Sequence, residues 1–353
     1  MDWQLFKDIL DIDSTSGRER EMAEWLHERL AAPSKQLMEV GDGTLNLFLR
    51  WGTPRVVFCT HIDTVPPYIA PRFDGDTVWG RGSCDAKGQL FAMYTACTRL
   101  ADAGCSDFGL LLLAGEETGS WGAKAFSKTG FEAPFLIVGE PTENKMVSAS
   151  KGTLSYDLCF TGVAFHSGYP QYGVSAVDCF NTFCQTLKAA DFGEDPELGA
   201  TTWNIGLLRS DNPQNILSPE LTCRLYFRTT FASHDAVQRW MEMAGQAEMA
   251  GQAGHDGHDG MPDQSVMPDL IGHLRVTPRG GDTPARYVTL PGFACGPVAF
   301  GSDAPHLTGF GHKIICGPGS IRVAHRPDEQ VCRADLEQAV EQYVAFYKQL
   351  TVK

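Results

Sequence analysis

Residues 110–117, with the sequence LLLLAGEE, join an apolar run to two adjacent carboxylates. The run from Leu110 to Ala114 predicts a buried strand, and Glu116 and Glu117 follow it where the chain enters a loop. Burying unpaired charge is costly, so the two carboxylates are expected at the mouth of the strand rather than in the core. At that place one carboxylate can bind a metal while its neighbour transfers a proton.

Two earlier apolar runs end in the same way. Residues 56–60 lead into His61 and Asp63, and residues 77–84 lead into Asp85. In an extended segment His61 and Asp63 project from the same side, so the carboxylate of Asp63 can orient the imidazole of His61 for metal binding. Asp85 is a candidate bridging carboxylate, and its alternative role is to cap the helix that follows.

Two further candidates lie later in the chain. Glu140 follows an apolar strand at 135–138, where the alternative is an ordinary turn carboxylate. His325 is far from the others in sequence, and spacing alone does not show that it lies near them. Two His and three carboxylates suit a pair of Zn²⁺ ions bridged by one carboxylate and one water. Co²⁺ or Mn²⁺ can substitute at such mixed nitrogen and oxygen sites.

The composition limits the class of protein. The chain has 353 residues, enough for two domains, and its net charge of −14 argues against a nucleic-acid partner. No apolar run reaches the roughly 18 residues of a membrane span, and the first residues lack the basic and apolar regions of a secretory signal. The 11 cysteines are scattered and form no CxxC pair, which favours reduced thiols in a cytoplasmic protein.

Strand-like runs alternate with helical ones before residue 150, which predicts an α/β layer with a mixed, largely parallel sheet flanked by helices. The character then changes to strand, helix, strand, strand, helix, strand, which is the split βαβ order of a small α+β domain. We therefore expect a catalytic domain in two parts, 1–152 and 281–353, with a lid or dimerisation domain inserted at 153–280. Within the insert, the Gly/His/Asp-rich residues 251–263 predict a solvated loop rather than a metal-binding tract.

Four motifs in the first half of the chain share their order and spacing with a known family: HIDTVP (61–66), GRGSCDAKG (80–88), EETGS (116–120) and GEPT (139–142). They resemble the co-catalytic zinc aminoacylase and metallopeptidase family, which includes acetylornithine deacetylase, succinyl-diaminopimelate desuccinylase, carboxypeptidase G and the aminoacylases. Near the end, GPGS (317–320) and AHRPDE (324–329) are most similar to the acetylornithine deacetylase branch. The resemblance implies a zinc-exopeptidase-like catalytic fold.

The resemblance also implies a role for each candidate. His61 and Glu140 would bind one zinc, Glu117 and His325 the other, and Asp85 would bridge both. Asp63 would orient His61, and Glu116 would act as general base and then as general acid.

In the inserted domain, the resemblance implies that His166 reaches a facing active site across a homodimer, and that Asn215 and Arg228 hold a substrate carboxylate. The alternatives are a surface-loop histidine for His166 and a structural ion pair for Arg228. Asp303, in a shortened stretch after the insert, is expected either near the pocket or as a helix cap.

The leading functional hypothesis is hydrolysis of the amide bond of a small N-acyl amino acid, with N-acetylornithine or a close relative first. Alternatives are a dipeptidase or carboxypeptidase, a deacylase acting on an amino-group carrier protein, and a non-catalytic metal-binding protein. A nucleotide-binding α/β protein is disfavoured, because neither glycine-rich phosphate loop occurs around Gly80 and Gly82.

Overall fold

The computed structural model describes residues 1–246 and 274–352. These residues form two compact units. The first comprises residues 1–148, 286–297 and 302–353, and the second comprises 149–285 and 298–301. The predicted loop at 251–263 lies outside the described residues. Within the described ranges, no helix is both long and apolar enough to cross a membrane.

The first unit is built on a mixed sheet that has six strands in the described part of the chain. Their order across the sheet is Ser34–Gly41, Thr44–Gly52, Asp107–Leu113, Val56–His61, Ala133–Val138 and Phe310–Ile315. The first two strands form an antiparallel hairpin, and the other four run parallel to one another. A smaller antiparallel sheet is formed by Arg72–Asp74, Thr77–Trp79 and Gln330–Cys332.

Helices cover this unit's central sheet: Trp3–Asp11, Glu19–Arg29, Lys87–Asp102, Trp121–Ser127 and Arg333–Thr351. The first helix is capped by Asp2, whose side chain accepts a hydrogen bond from the N–H of Leu5 (3.0 Å). The two central parallel strands, Val56–His61 and Asp107–Leu113, are largely apolar because both of their faces are covered, whereas the edge strand Phe310–Ile315 leaves His312 exposed. Residues 108–113 are fully buried.

The second unit has a four-stranded antiparallel sheet among the described residues, in the order Thr202–Arg209, Glu220–Thr229, Gly152–Thr161 and Leu274–Gly280. The helices Ala176–Ala189 and His234–Gln246 complete it. Alternate residues of the strand Glu220–Thr229 are buried, as expected when one face of a sheet is covered. Its chain order is the predicted split βαβ arrangement. The sequence predicts the last of these strands at 271–276, of which 271–273 lie outside the described residues.

The remaining helical turns and strands among the described residues are short. They are the 3₁₀ turns Pro170–Tyr172 and Ala304–His306 and the strands Met146–Ser150, Glu194–Asp195, Gly199–Ala200, Ala285–Arg286 and Cys295–Val298.

Two local predictions need correction. The run 77–84 is not one strand leading into Asp85, since only Thr77–Trp79 is extended and glycine-rich turns follow. The apolar pattern after the two carboxylates also predicts a helix from Glu117 to Phe126. In the structure this helix begins only at Trp121, because residues 116–119 form a turn closed by hydrogen bonds to the carbonyl of Glu116.

Candidate metal centre

The carboxyl ends of the parallel strands bring most of the predicted ligands to one edge of the central sheet. His61 is the last residue of its strand and is paired with Leu113 of the neighbouring strand. Glu116 and Glu117 follow that neighbour, and Glu140 follows the strand on the other side, Ala133–Val138. Because parallel strands end at the same edge, residues separated by up to 79 positions in sequence converge there.

Asp63 organises this edge. It is fully buried, and its two carboxylate oxygens accept hydrogen bonds from the backbone N–H groups of Glu116 (3.0 Å) and Glu117 (3.1 Å). The Nδ1–H of His61 donates to the backbone carbonyl of Asp63 (2.9 Å) and lies 3.4 Å from its carboxylate. With Nδ1 held in this way, Nε2 of His61 faces the other candidate ligands, as is usual for a metal-binding histidine.

Asp85 lies between the two histidines. Its Oδ1 is 3.1 Å from Nε2 of His61, and its Oδ2 is 3.3 Å from Nε2 of His325. His325 is also 2.9 Å from Oε1 of Glu117. Ligand atoms of His61, Asp85 and Glu117 all lie within 4.8 Å of one another. A carboxylate that presents one oxygen to each of two imidazoles has the arrangement expected of a ligand shared by two metal ions.

The capping alternative for Asp85 is not supported, because the helix Lys87–Asp102 has Ala86 at its N-cap and no side-chain capping bond. Asp85 also does not follow a strand of the central sheet. It ends a loop that starts from Thr77–Trp79 in the smaller sheet.

Negative charge is concentrated at this edge. Glu140 is 4% exposed, and burial followed by the nearby charges of Glu116 and Asp85 raises its pKa well above the usual range. Burial likewise raises the pKa of Glu116, and the carboxylates of Asp303 and Glu117 add to the effect. Divalent cations bound among these groups would offset their mutual repulsion, so the donor set fits a pair of hard or borderline metal ions.

Two more residues contribute to this edge. Sequence patterns assign no role to Ser16, and they leave two alternatives for Asp303. The hydroxyl of Ser16 donates to Oδ2 of Asp63 (2.9 Å) and helps to hold that carboxylate in place. Asp303 is 2% exposed, its Oδ1 has no hydrogen-bond partner among the described residues, and burial raises its pKa to about 6. It precedes the 3₁₀ turn Ala304–His306 without a capping bond, so its charge near Glu116 favours the pocket alternative.

Metal binding should release protons at neutral pH. Hydrogen bonds to Asp85 and Glu117 raise the pKa of His325 to about 10. Burial opposes protonation of His61, but its hydrogen bonds to Asp63 and Asp85 outweigh burial and raise its pKa well above 6.5. The raised pKa values of these two imidazoles favour a bound proton at pH 7, so an incoming ion must displace it, and lower pH weakens binding.

We expect roughly one proton to leave per Zn²⁺ bound at pH 7. Calorimetric titration of the metal-free protein in two buffers of different ionisation enthalpy measures this number. A His325→Ala variant should lose the proton that belongs to its site. Zinc binding without proton release, or with an affinity that does not fall from pH 8 to pH 6, would contradict the assignment of the two histidines.

The remaining predicted residues lie in the second unit. His166 and Asn215 occupy adjacent exposed loops, where the N–H of Ser167 donates to the carbonyl of Asn215 (2.9 Å). Arg228 lies on the strand Glu220–Thr229, half-buried, with its guanidinium 5.1 Å from the ring centroid of Tyr226. The structure therefore brings His166 and Asn215 together within this unit.

The sequence profile of peptidase family M20/M25/M40 matches residues 57–349 of this chain. A relative from Aspergillus terreus, named a probable carboxypeptidase, is 31% identical over 383 residues, which cover 96% of this chain and 83% of the relative.

Two solved structures are similar over almost the whole chain. A tripeptidase from Staphylococcus aureus has a TM-score of 0.77 and 19% identity, with 99% of this chain and 97% of that chain covered. A dinuclear metal-binding M20 peptidase from Bacillus subtilis has a TM-score of 0.65 and 11% identity, covering 99% of this chain and 98% of that chain. At these identities the similarity confirms the predicted fold, a mixed α/β layer with a mostly parallel central sheet.

Proposed function

Because the chain belongs to peptidase family M20/M25/M40, we propose that it is a metallopeptidase that removes a C-terminal amino acid from dipeptides or short peptides. Family membership confirms the predicted class, a metal-dependent hydrolase of the peptidase type. The observation that carries the proposal is the position of Asp85 between the imidazoles of His61 and His325, with Glu117 beside it.

We assign His61 and Glu140 to one metal ion, Glu117 and His325 to the other, and Asp85 to both. Bound there, two divalent ions supply Lewis acidity toward the scissile carbonyl and lower the pKa of a water. Zinc is the proposed metal because the donors are imidazole and carboxylate, and Co²⁺ or Mn²⁺ should substitute.

Glu116 is the proposed general base and acid. Its backbone is held by Asp63, while its side chain is not among the proposed ligands and keeps a raised pKa in a buried setting. A carboxylate with a raised pKa takes a proton from the attacking water and can return it to the leaving amine. Asp63 acts on this chemistry only through His61 and through the loop of Glu116 and Glu117.

The substrate class follows from the relatives. The Aspergillus terreus relative is named a probable carboxypeptidase and the similar Staphylococcus aureus structure is a tripeptidase. These names favour the peptidase alternative over N-acetylornithine.

Three residues of the second unit are proposed to serve the substrate. A guanidinium can bind a carboxylate through two parallel hydrogen bonds, so we assign Arg228, with Asn215, to the substrate's terminal carboxylate. We assign His166 as a hydrogen-bond donor to the developing oxyanion, delivered to the facing subunit of a homodimer.

A substrate panel tests the proposal. Dipeptides, tripeptides, N-blocked dipeptides, N-acetylornithine and N-succinyl amino acids are incubated with the enzyme, and the released amino acids are quantified. We expect release of the C-terminal amino acid from peptides to exceed deacetylation by about tenfold or more, the discrimination that a well-matched polar pocket provides. A chelator should abolish the release, and added Zn²⁺ should restore it.

The blank for this panel is a Glu116→Gln preparation purified in parallel, which reports contaminating peptidases. Faster hydrolysis of N-acetylornithine than of any peptide would favour the deacylase alternative. Hydrolysis that survives complete removal of metal would overturn the metallopeptidase proposal.

A further inference from the structure

A buried ion pair lies beside the candidate metal centre and takes no part in the proposed chemistry. Nη1 of Arg81 is 2.5 Å from Oε2 of Glu329, and the side chains are 2% and 0% exposed. A buried pair offers little net stability, because the cost of desolvating both charges offsets their attraction. Its hydrogen-bond partners indicate a role other than stability.

The second carboxylate oxygen of Glu329 holds the loop that carries Asp85. Oε1 accepts hydrogen bonds from three backbone N–H groups, those of Gly82 (2.9 Å), Cys84 (3.1 Å) and Asp85 itself (3.1 Å). One oxygen thus fixes the backbone at and just before the shared carboxylate. The position of the Asp85 side chain depends on this backbone.

The same residue belongs to the segment that carries His325. The strand Gln330–Cys332 pairs with Thr77–Trp79, and the pairing extends to a hydrogen bond from the N–H of Gly80 to the carbonyl of Glu329 (3.0 Å). The loop with Asp85 and the loop with His325 are therefore both attached to the same end of this strand pair, and they lie next to each other there. The side chain of Glu329, which belongs to the segment of His325, reaches the loop that carries Asp85.

Arg81 also contacts the segment that follows His61. Its guanidinium donates to the carbonyl of Pro67, in the segment after His61, and to the carbonyl of Arg326, next to His325 (both 3.3 Å). The pair therefore bridges three segments: the loop that carries Asp85, the loop that carries His325 and the segment that follows His61.

We propose that Glu329 and Arg81 are positioning residues that set the distance between Asp85 and the two histidines. They thereby fix the separation of the two metal sites. This inference rests on the proposed function, since it concerns the same ligands. Neither residue contacts the substrate or the ions in this scheme; both act through the backbone of the loops that they join.

The test is metal binding by the Glu329→Gln variant. Glutamine keeps the size of the side chain, but it places an N–H₂ group against either the guanidinium or the three N–H donors. Outer-shell changes of this kind typically cost about 10- to 100-fold in metal affinity. We expect that loss for Co²⁺, measured by chelator competition on the metal-free protein, together with an altered Co²⁺ absorption spectrum.

Two further variants keep the test decisive. Arg81→Lys retains the charge but cannot reach Glu329 and both carbonyls, so it should show a smaller loss of affinity even if Glu329→Gln does not fold. Tyr347→Phe is the control, since it removes a partly buried hydrogen bond to Asp107 at the far end of the strand Asp107–Leu113. It should lower thermal stability and leave Co²⁺ affinity and spectrum unchanged.

The outcomes separate the two levels of the proposal. If wild-type protein binds two Co²⁺ ions and both Arg81 and Glu329 variants bind them with unchanged affinity and spectrum, the positioning role is wrong and the proposed function stands. An equal loss in Tyr347→Phe would also overturn the positioning role, because it would trace the effect to general destabilisation. Wild-type protein that binds no Co²⁺ would overturn the proposed function and this inference with it.

Discussion

Replacing Glu116 by glutamine should lower kcat by about 100- to 10,000-fold, the usual contribution of a general acid or base. The substitution preserves size, and the hydrogen bond from the Glu116 N–H to Asp63 (3.0 Å) involves only backbone on the Glu116 side. Both metal ions should therefore remain bound. Steady-state kinetics and the metal content of the same purified sample provide the two readouts.

The neighbouring carboxylate gives the matched control. Glu117→Gln makes the same chemical change one residue away, at a side chain whose Oε1 lies 2.9 Å from His325. We expect this variant to lose metal as well as activity. If Glu116→Gln lost its metal, or kept more than about a tenth of wild-type kcat, the division of roles between the two residues would be wrong.

Replacing Asp85 by asparagine should have the second large effect, on metal binding itself. Asp85 is 6% exposed and faces both histidines, so the variant removes the negative charge shared by the two proposed sites. Removing one partner of a buried charge pair costs about 3–5 kcal/mol, or roughly 100- to 4,000-fold in affinity. We expect fewer than two ions per chain at micromolar zinc and loss of activity.

The control for this experiment is Asp328→Asn. It makes the same substitution three residues from His325, at an exposed carboxylate that pairs with Arg326 (2.8 Å). Metal content and activity should stay at wild-type levels. Two ions bound with wild-type affinity in Asp85→Asn would rule out Asp85 as the shared ligand.

Part of the site follows directly from local sequence patterns. The apolar runs before His61, Glu116 and Glu140 predict parallel strands, and parallel strands place their carboxyl ends at one edge. The spacing of His61 and Asp63 predicts their contact for the same local reason, since alternate residues of extended chain share a side. These features depend on short segments, and periodicity describes such segments well.

Other parts depend on contacts between distant segments, which periodicity does not encode. Asp85 was expected at the end of a strand next to the others, but a separate small sheet and a glycine-rich loop deliver it to the site. His325 reaches it because Gln330–Cys332 pairs with Thr77–Trp79, more than 250 residues earlier in the chain. The roles of Ser16 and Glu329 likewise appear only when their distant partners are known.

The central claim is that two metal ions share Asp85, with His61 and Glu140 on one side and Glu117 and His325 on the other. The most direct test is a crystal structure of the zinc-loaded protein with anomalous diffraction recorded above and below the zinc absorption edge. We predict two anomalous peaks per chain, one on each side of the Asp85 carboxylate and each within about 2.0–2.2 Å of its ligands. A single peak, or peaks that do not contact Asp85, would contradict the claim.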